Sequence, residues 1–129
     1  MNADAEGKVY PRSTVTVAPD AVRGFAAAVG QAVPGIPPTF LTVAEFAVFG
    51  AIIGDPELDL DLGRVVHGDQ DYVWYRPLEL GETLVVEPRI ATIRERGGHG
   101  FVTIEVRLSS EGGDPVATAR ATMIERGAR

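Results

Sequence analysis

His67 and Asp69 stand two positions apart near the middle of the chain. Imidazole and carboxylate groups carry out most proton transfers in enzymes, and side chains two apart on a regular strand point to the same side. The pair therefore suggests an acid–base dyad, and these two are the candidate catalytic residues of the sequence. Gly68 between them also indicates a β-bulge, and the alternative interpretation of the pair is a structural or subunit-contact role.

The composition excludes several other kinds of chemistry. The 129 residues include no cysteine and only two histidines, so a disulfide and a thiolate zinc site are excluded, and we predict no metal site. The second histidine, His99, lies between two glycines and is predicted to be an exposed turn residue. No phosphate-binding loop, dinucleotide fingerprint or nucleophile elbow is present, so we predict no cofactor.

The charge of the chain limits its partners. A formal net charge of −6 argues against a nucleic-acid surface, which needs many cations to release counterions. A local basic patch could still receive an acidic carrier protein, and four arginines could form one: Arg89, Arg94, Arg96 and Arg107. The alternative interpretation is that these arginines are solvated strand and turn residues, which is the commoner case for scattered charges.

The element that must organise the fold is residues 37–54, which are apolar almost throughout. This run predicts one short helix, begun by a capping box between Thr42 and Glu45 and ended by Gly54 in the left-handed conformation, with Pro56 beyond. A helix without a polar face must be enclosed by other elements. The run is too short to span a bilayer, and the acidic residues at the start of the chain do not resemble a signal peptide, so we expect a cytoplasmic protein without membrane contact.

The second half of the chain predicts β-strands. Candidate strands cover residues 64–76, 83–94, 101–110 and 115–126, and a short strand at 15–17 precedes a helix at 21–29. In the last strand Ala117, Ala119 and Ala121 share one face and would let a helix approach closely. The sequence therefore predicts one α+β domain over residues 1–129, with residues 1–8 flexible, in which a curved antiparallel sheet wraps around one long buried helix.

Several strings resemble a known family. They are Arg-Val-Val-His-Gly-Asp-Gln at 64–70, Tyr-Arg-Pro-Leu at 75–78, Gly-Glu-Thr-Leu at 81–84 and Arg-Glu-Arg-Gly-Gly-His-Gly-Phe-Val at 94–102. Together they resemble the MaoC-like dehydratase family of the N-terminal, FAS1-like type, over residues 10–126. The resemblance implies a hotdog fold that dimerises through edge strands, and ligands that are acyl thioesters of CoA or acyl carrier protein. It also implies reversible dehydration of (3R)-hydroxyacyl thioesters to enoyl thioesters.

The chain departs from this family at the residues that transfer protons. Active relatives carry a Gly-Asp-x-Asn-Pro-x-His string after the first helix, whereas here Gln31 stands at the Asp position, Val33 at the Asn position, and the His has no counterpart. The chain thus resembles the non-catalytic subunit of (3R)-hydroxyacyl-ACP dehydratases. Backbone N–H groups at the start of the buried helix hold the thioester oxygen in such relatives. The resemblance therefore assigns substrate binding to Thr39 and Phe40, with Gln31 beside them.

Three functions remain open from the sequence. The chain could be the degenerate subunit of a dehydratase, completed by a catalytic hotdog partner in a heterodimer. It could be a stand-alone enzyme, homodimeric or not, that hydrates enoyl thioesters, performs another conjugate addition or hydrolyses thioesters with His67 or Asp69. It could also be a non-catalytic acyl-thioester binder or scaffold. The missing proton-transfer groups favour the first hypothesis, because a partner would carry them.

Overall fold

The computed structural model describes residues 1–127. A strand and two helices come first, and four strands follow. The elements are β1 (Ser13–Thr16), α1 (Pro19–Ala28), α2 (Leu41–Ile53), β2 (Val65–Trp74), β3 (Thr83–Arg96), β4 (His99–Ser110) and β5 (Pro115–Glu125), with 3₁₀ turns at Ala3–Ala5, Pro38–Phe40 and Leu62–Arg64. The α+β class predicted from the sequence is confirmed.

The five strands form one antiparallel sheet in the order β1-β3-β4-β5-β2. Strands β3, β4 and β5 are neighbours both in the sheet and along the chain, whereas β2 pairs with β5 and lies at the edge of the sheet. Alternate residues of β3, β4 and β5 join α2 in a single hydrophobic core. Ala117, Ala119 and Ala121 are all buried in it, on the one face that the sequence predicted.

Helix α2 has two different sides, although its sequence is apolar all round. One side, which includes Leu41, Val48 and Ile52, is buried against the rest of the chain. The other side carries Phe46, whose side chain is 65% exposed, and Val43, which is also exposed. The sheet of this chain therefore encloses only one side of the helix and leaves apolar surface on the other.

The predicted helix termini need two corrections. The helix begins at Leu41, and the hydroxyl of Thr42 donates to the carbonyl oxygen of Thr39. No capping box forms, because the side chain of Glu45 is fully buried in the interior. Gly54 ends the helix with φ −90°, so it is not in the left-handed conformation that the sequence suggested.

The first eight residues pack against the domain in the structure, and their predicted flexibility stays a prediction. The ammonium group of Lys8 lies 2.7 Å from a carboxylate oxygen of Asp55 and 2.6 Å from one of Glu57. Ala5 is buried, and the N–H of Ile90 donates to the carbonyl oxygen of Lys8 at 2.9 Å. These contacts join the segment to β3 and to the turn after α2.

Candidate functional site

A cavity of about 420 Å³ opens beside the start of α2. Residues 36–38, just before the helix, form one wall, and residues 74–78, just after β2, form the other. Arg76 fixes the second wall, because its two terminal nitrogens donate to the carboxylate of Glu82 at 3.0 and 2.7 Å. This hydrogen bonding lowers the pKa of Glu82. The volume is in the range of small-molecule sites, and most of the lining is apolar.

The start of the helix offers one of the two backbone donors that the resemblance assigns. The N–H of Phe40 donates to the carbonyl oxygen of Pro37 at 2.9 Å, inside the 3₁₀ turn. The N–H of Thr39 has no hydrogen-bond acceptor within residues 1–127. A ligand oxygen beside the helix start would therefore meet the Thr39 amide rather than that of Phe40.

Gln31 uses its side chain to hold its own loop. The amide nitrogen Nε2 donates to the carbonyl oxygens of Val33 and Gly35 at 3.2 and 3.1 Å. The loop after α1 is thereby closed on itself, and it contains no carboxylate or imidazole. In the structure Gln31 thus organises the loop, and substrate binding by this residue stays a prediction.

The bulge predicted at Gly68 is present and separates the two candidate catalytic residues. The register shifts between His67, which pairs with Met123, and Asp69, which pairs with Thr122. Because directly paired residues point to the same side, His67 lies on the helix side of the sheet and Asp69 on the outer side. Their one hydrogen bond joins Nε2 of His67 to the backbone oxygen of Asp69 at 3.1 Å. The side chains do not form a dyad.

A buried carboxylate on α2 was missed by the sequence reasoning, which assigned Glu45 to the helix cap. Its side chain accepts hydrogen bonds from Nε2 of Gln70 at 3.2 and 3.0 Å and from the hydroxyl of Tyr72 at 3.1 Å. Burial raises the pKa of Glu45, and these hydrogen bonds, together with the charge of His67, partly offset that rise. A single acidic residue in an otherwise apolar helix was the signal that could have found this group.

The buried carboxylate is connected to the cavity through one face of β2. The register places Gln70, Tyr72 and Trp74 opposite the buried alanines of β5, so these side chains share the helix side of the strand. The ring centroids of Tyr72 and Trp74 are 6.4 Å apart, and Trp74 lines the cavity. The oxygen Oε1 of Gln70 is buried without a hydrogen-bond partner. The polar group and the cavity therefore form adjacent parts of one region.

His99 is exposed, as the sequence predicted, but it is the first residue of β4 and not a turn residue. Its Nδ1 accepts from the N–H of Gly127 at 3.0 Å. Among the described residues, no three His, Asp or Glu side chains converge as metal ligands would. None of the helices over residues 1–127 is long and apolar enough to cross a membrane.

An antiparallel sheet packed on one central helix defines the hotdog fold. Solved structures with this fold include the C-terminally truncated HadBC (3R)-hydroxyacyl-ACP dehydratase complex of Mycobacterium tuberculosis. It aligns with a TM-score of 0.79 and 24% identity over 96% of this chain and 99% of that one. The ChsH1–ChsH2 complex of the same organism aligns with a TM-score of 0.69 and 16% identity over 94% and 85%.

The chain belongs to the FAS1-like dehydratase domain family, described as "FAS1-like, dehydratase domain region", whose model matches residues 25–119. A UPF0336 protein of Saccharopolyspora erythraea is 37% identical over 91 residues, which are 70% of this chain and 58% of that protein. The match thus spans little more than half of that relative. A UPF0336 protein of Streptomyces coelicolor is 34% identical over 95% of this chain and 93% of its own length.

Proposed function

We propose that the chain is the non-catalytic subunit of a (3R)-hydroxyacyl-thioester dehydratase, completed by a second hotdog subunit with an intact Asp/His string. The observation that carries this proposal is the loop after α1, which Gln31 closes and which contains no proton-transfer group. The cavity is lined by residues 36–38, directly before Thr39, whose N–H has no acceptor within residues 1–127. The chain keeps what is needed to hold an acyl thioester and lacks what is needed to move its protons.

The reaction divides naturally between two such subunits. Removing water from a 3-hydroxyacyl thioester needs a base for the proton at C2 and an acid for the leaving hydroxyl. Negative charge then grows on the thioester oxygen, where a fixed N–H donor stabilises it. In our proposal the Thr39 amide is that donor and the cavity holds the thioester, whether of CoA or of acyl carrier protein. The partner supplies the acid and the base.

In our proposal the partner binds at the sheet edge formed by β2 and at the open side of α2. Strand β2 is at the edge of the sheet, so its outer backbone groups are not paired within the sheet. Val43 and Phe46 expose apolar surface of α2 on the helix side of this edge. Val66 and Val73 of β2 are also exposed, but on the outer side of the sheet, because they pair with Ile124 and Thr118. Pairing of this edge with a second hotdog subunit would extend the sheet and cover the open side of α2. The structural similarity to two complexes, HadBC and ChsH1–ChsH2, supports this arrangement.

Reconstitution tests the proposal. The purified chain is assayed for hydration of crotonyl-CoA alone and after mixing with a hotdog subunit that carries the Asp/His string. We expect no turnover from the chain alone and turnover from the mixture above that of the partner alone. An Asp→Asn variant of the partner is the control, and the mixture that contains it should show no turnover of crotonyl-CoA. Turnover by the chain alone would contradict the division of labour.

A second candidate function, a stand-alone hydratase, rests on Glu45. This carboxyl group has a raised pKa, adjoins the cavity region through Tyr72, and interacts with the charge of His67. It would take up or release the proton that the missing Asp and His otherwise handle. If the chain alone turns over crotonyl-CoA, Glu45→Gln should abolish that turnover, whereas Asp69→Asn on the outer side should leave it unchanged.

A further inference from the structure

Three arginines surround one buried glutamate on the outer face of the sheet. The carboxylate of Glu105, 2% exposed, accepts from Nε of Arg89 at 2.8 Å and from Nε of Arg107 at 3.2 Å. Its other oxygen accepts from Nε and Nη2 of Arg120 at 3.0 and 2.8 Å. We call Arg89, Arg107 and Arg120 the arginine cluster. The strand register explains it, because Arg89, Glu105 and Arg120 lie directly opposite one another on β3, β4 and β5.

The cluster differs from the basic patch considered from the sequence. Arg89 and Arg107 belong to it, and Arg120, which was not considered for the patch, joins them from β5. Arg94 and Arg96 instead pair with Phe101 and His99 at the far end of the same hairpin. Glu105 is on the outer face of β4, where the guanidinium groups cover it.

The cluster is a local excess of positive charge in an acidic protein. Burial disfavours ionisation of Glu105, but the hydrogen bonds from Arg89 and Arg120 outweigh it and lower its pKa to about 2. Glu105 thus faces three guanidinium groups, and Glu87 pairs with Arg107 in the strand register, so the cluster keeps a net positive charge in a chain that carries −6. The terminal nitrogens of Arg89 and Arg107 make no hydrogen bond within residues 1–127, and Arg107 is 63% exposed. The nearby Glu87 faces Arg12 at 3.8 Å. Free guanidinium nitrogens beside a saturated carboxylate favour an additional anion.

A concave surface continues from the cluster to the cavity at the start of α2. A depression of about 390 Å³ is lined by Arg107, Arg120, Ser109 and Thr118, and also by Tyr75. Tyr75 lines the cavity at the helix start as well, so its ring lies between the two. The ring is 57% exposed and presents a flat aromatic surface next to two guanidinium groups. A phosphate with an attached base fits this combination, because arginine binds phosphate and an aromatic ring stacks on a base.

We propose that the arginine cluster binds the phosphate groups of coenzyme A, whose pantetheine arm passes Tyr75 into the cavity at the start of α2. The inference rests on the proposed function, since it concerns the carrier end of the same thioester. Coenzyme A is favoured over an acidic carrier protein because the surface is a small depression with a stacking ring rather than a broad ridge of cations. The phosphates contact the terminal nitrogens that Glu105 leaves unused.

Two thioesters that share the crotonyl-pantetheine part, of which only one carries the phosphorylated adenosine diphosphate, test this assignment. Calorimetry measures the binding of crotonyl-CoA and crotonyl-pantetheine to the purified chain and to Arg107→Glu. We expect Arg107→Glu to lower the affinity for crotonyl-CoA about tenfold or more. The affinity for crotonyl-pantetheine should not change, because only crotonyl-CoA carries phosphate. Added salt should lower the affinity for crotonyl-CoA more in the native chain than in Arg107→Glu. Arg94→Glu makes the same charge change at the far end of the hairpin and should alter neither affinity.

Each other result counts against a different statement. Equal affinity of the native chain and Arg107→Glu for crotonyl-CoA would overturn the inference and leave the proposed function intact. Failure of both thioesters to bind the native chain would remove the proposed function and the inference with it. If Arg107→Glu weakens only the binding of a crotonyl carrier-protein thioester, the cluster is assigned to the carrier protein and the coenzyme A assignment is overturned. Because a carboxylate beside Glu105 could disturb folding, Arg107→Gln is measured in parallel, and the melting temperatures of both variants are recorded.

Discussion

The hydroxyl of Tyr72 donates to the carboxylate of Glu45 at 3.1 Å and joins the edge strand to the central helix. This hydrogen bond and those from Gln70 are the only ones found for the Glu45 side chain within residues 1–127. No cation completes them, although the charge of His67 acts on the group from a distance. A carboxylate held by neutral donors in the interior loses more from burial than it regains, which is why the pKa of Glu45 rises.

The raised pKa gives the stability of the protein a definite pH dependence. The folded chain binds the Glu45 proton more tightly than the unfolded chain, so the free energy of unfolding falls as the pH rises from about 4.5 through the folded pKa. Glu45→Gln removes this loss, and its amide can donate to Gln70 after the Gln70 side chain flips. We expect the variant to melt about 3 °C or more above the native chain at pH 8. At pH 4 the difference should be smaller.

Glu95→Gln, an exposed change of the same kind, is the control and should leave both melting temperatures unchanged. A Glu45→Gln variant that is less stable than the native chain at pH 8 would show that the carboxylate stabilises the fold.

Phe46 tests the partner surface. Its exposure in the single chain means that Phe46→Lys should not disturb the core, but a charge on the open side of α2 should prevent another subunit from covering it. We expect Phe46→Lys to lose the association with a second hotdog subunit and to sediment as a monomer in analytical ultracentrifugation. Leu80→Lys places the same charge on another exposed apolar residue and should keep the native assembly. Identical sedimentation of both variants would place the interface elsewhere.

The arginine cluster should also protect the fold against acid. The pKa of Glu105 is lowered to about 2, so its ionised form stabilises the native state above the unfolded value of about 4.5, and this stability is lost as the pH falls towards 2. Arg120→Leu leaves Glu105 buried with fewer donors and should cost about 1–2 kcal/mol at pH 7, less than a fully buried pair because the arginine is half exposed. Urea unfolding at pH 7 and pH 3 measures both effects.

In the same unfolding experiments, Arg94→Leu should cost almost nothing at either pH. A loss for Arg120→Leu that is equally large at pH 7 and pH 3 would come from packing rather than charge.

Gly68 is required where β2 bulges. A Cβ atom at this position would lie 2.5 Å from Cδ1 and 2.9 Å from Cγ1 of Ile124. Gly68→Ala should therefore destabilise the protein by about 1–3 kcal/mol, as overpacking does elsewhere. The double variant Gly68→Ala with Ile124→Ala removes the clash, so its loss should be smaller than the sum of the single losses. Additive losses would show that the backbone, not the side chain of Ile124, sets the cost.

Local sequence signals predicted most of the fold. The strands lie within a few residues of their predicted bounds, because alternation and turn residues determine them directly. Gly97 and Gly98 adopt φ 60° and 76° in the predicted turn, and Gly113 adopts φ 92° in the next one. The left-handed conformation suits glycine, so the turns at these positions could be predicted without tertiary information.

The site was less predictable because it depends on how strands and helix face one another. His67 and Asp69 looked like a dyad, but a single bulge sent them to opposite sides of the sheet. Glu45 looked like a cap because the four-residue pattern is local, whereas its partners Gln70 and Tyr72 lie on a strand far along the chain. The arginine cluster needed the register of three strands, which alternation alone does not provide.

The open side formed by β2 and α2 affects how the protein must be produced. A polypeptide that presents an unfinished strand edge beside bare aromatic surface is prone to precipitation and to proteolysis until that side is covered. Under the proposed function, cells gain from synthesising it together with the partner subunit and in matching amounts. Expression in isolation should accordingly give a low yield of dispersed material, and co-expression with the correct companion should raise that yield.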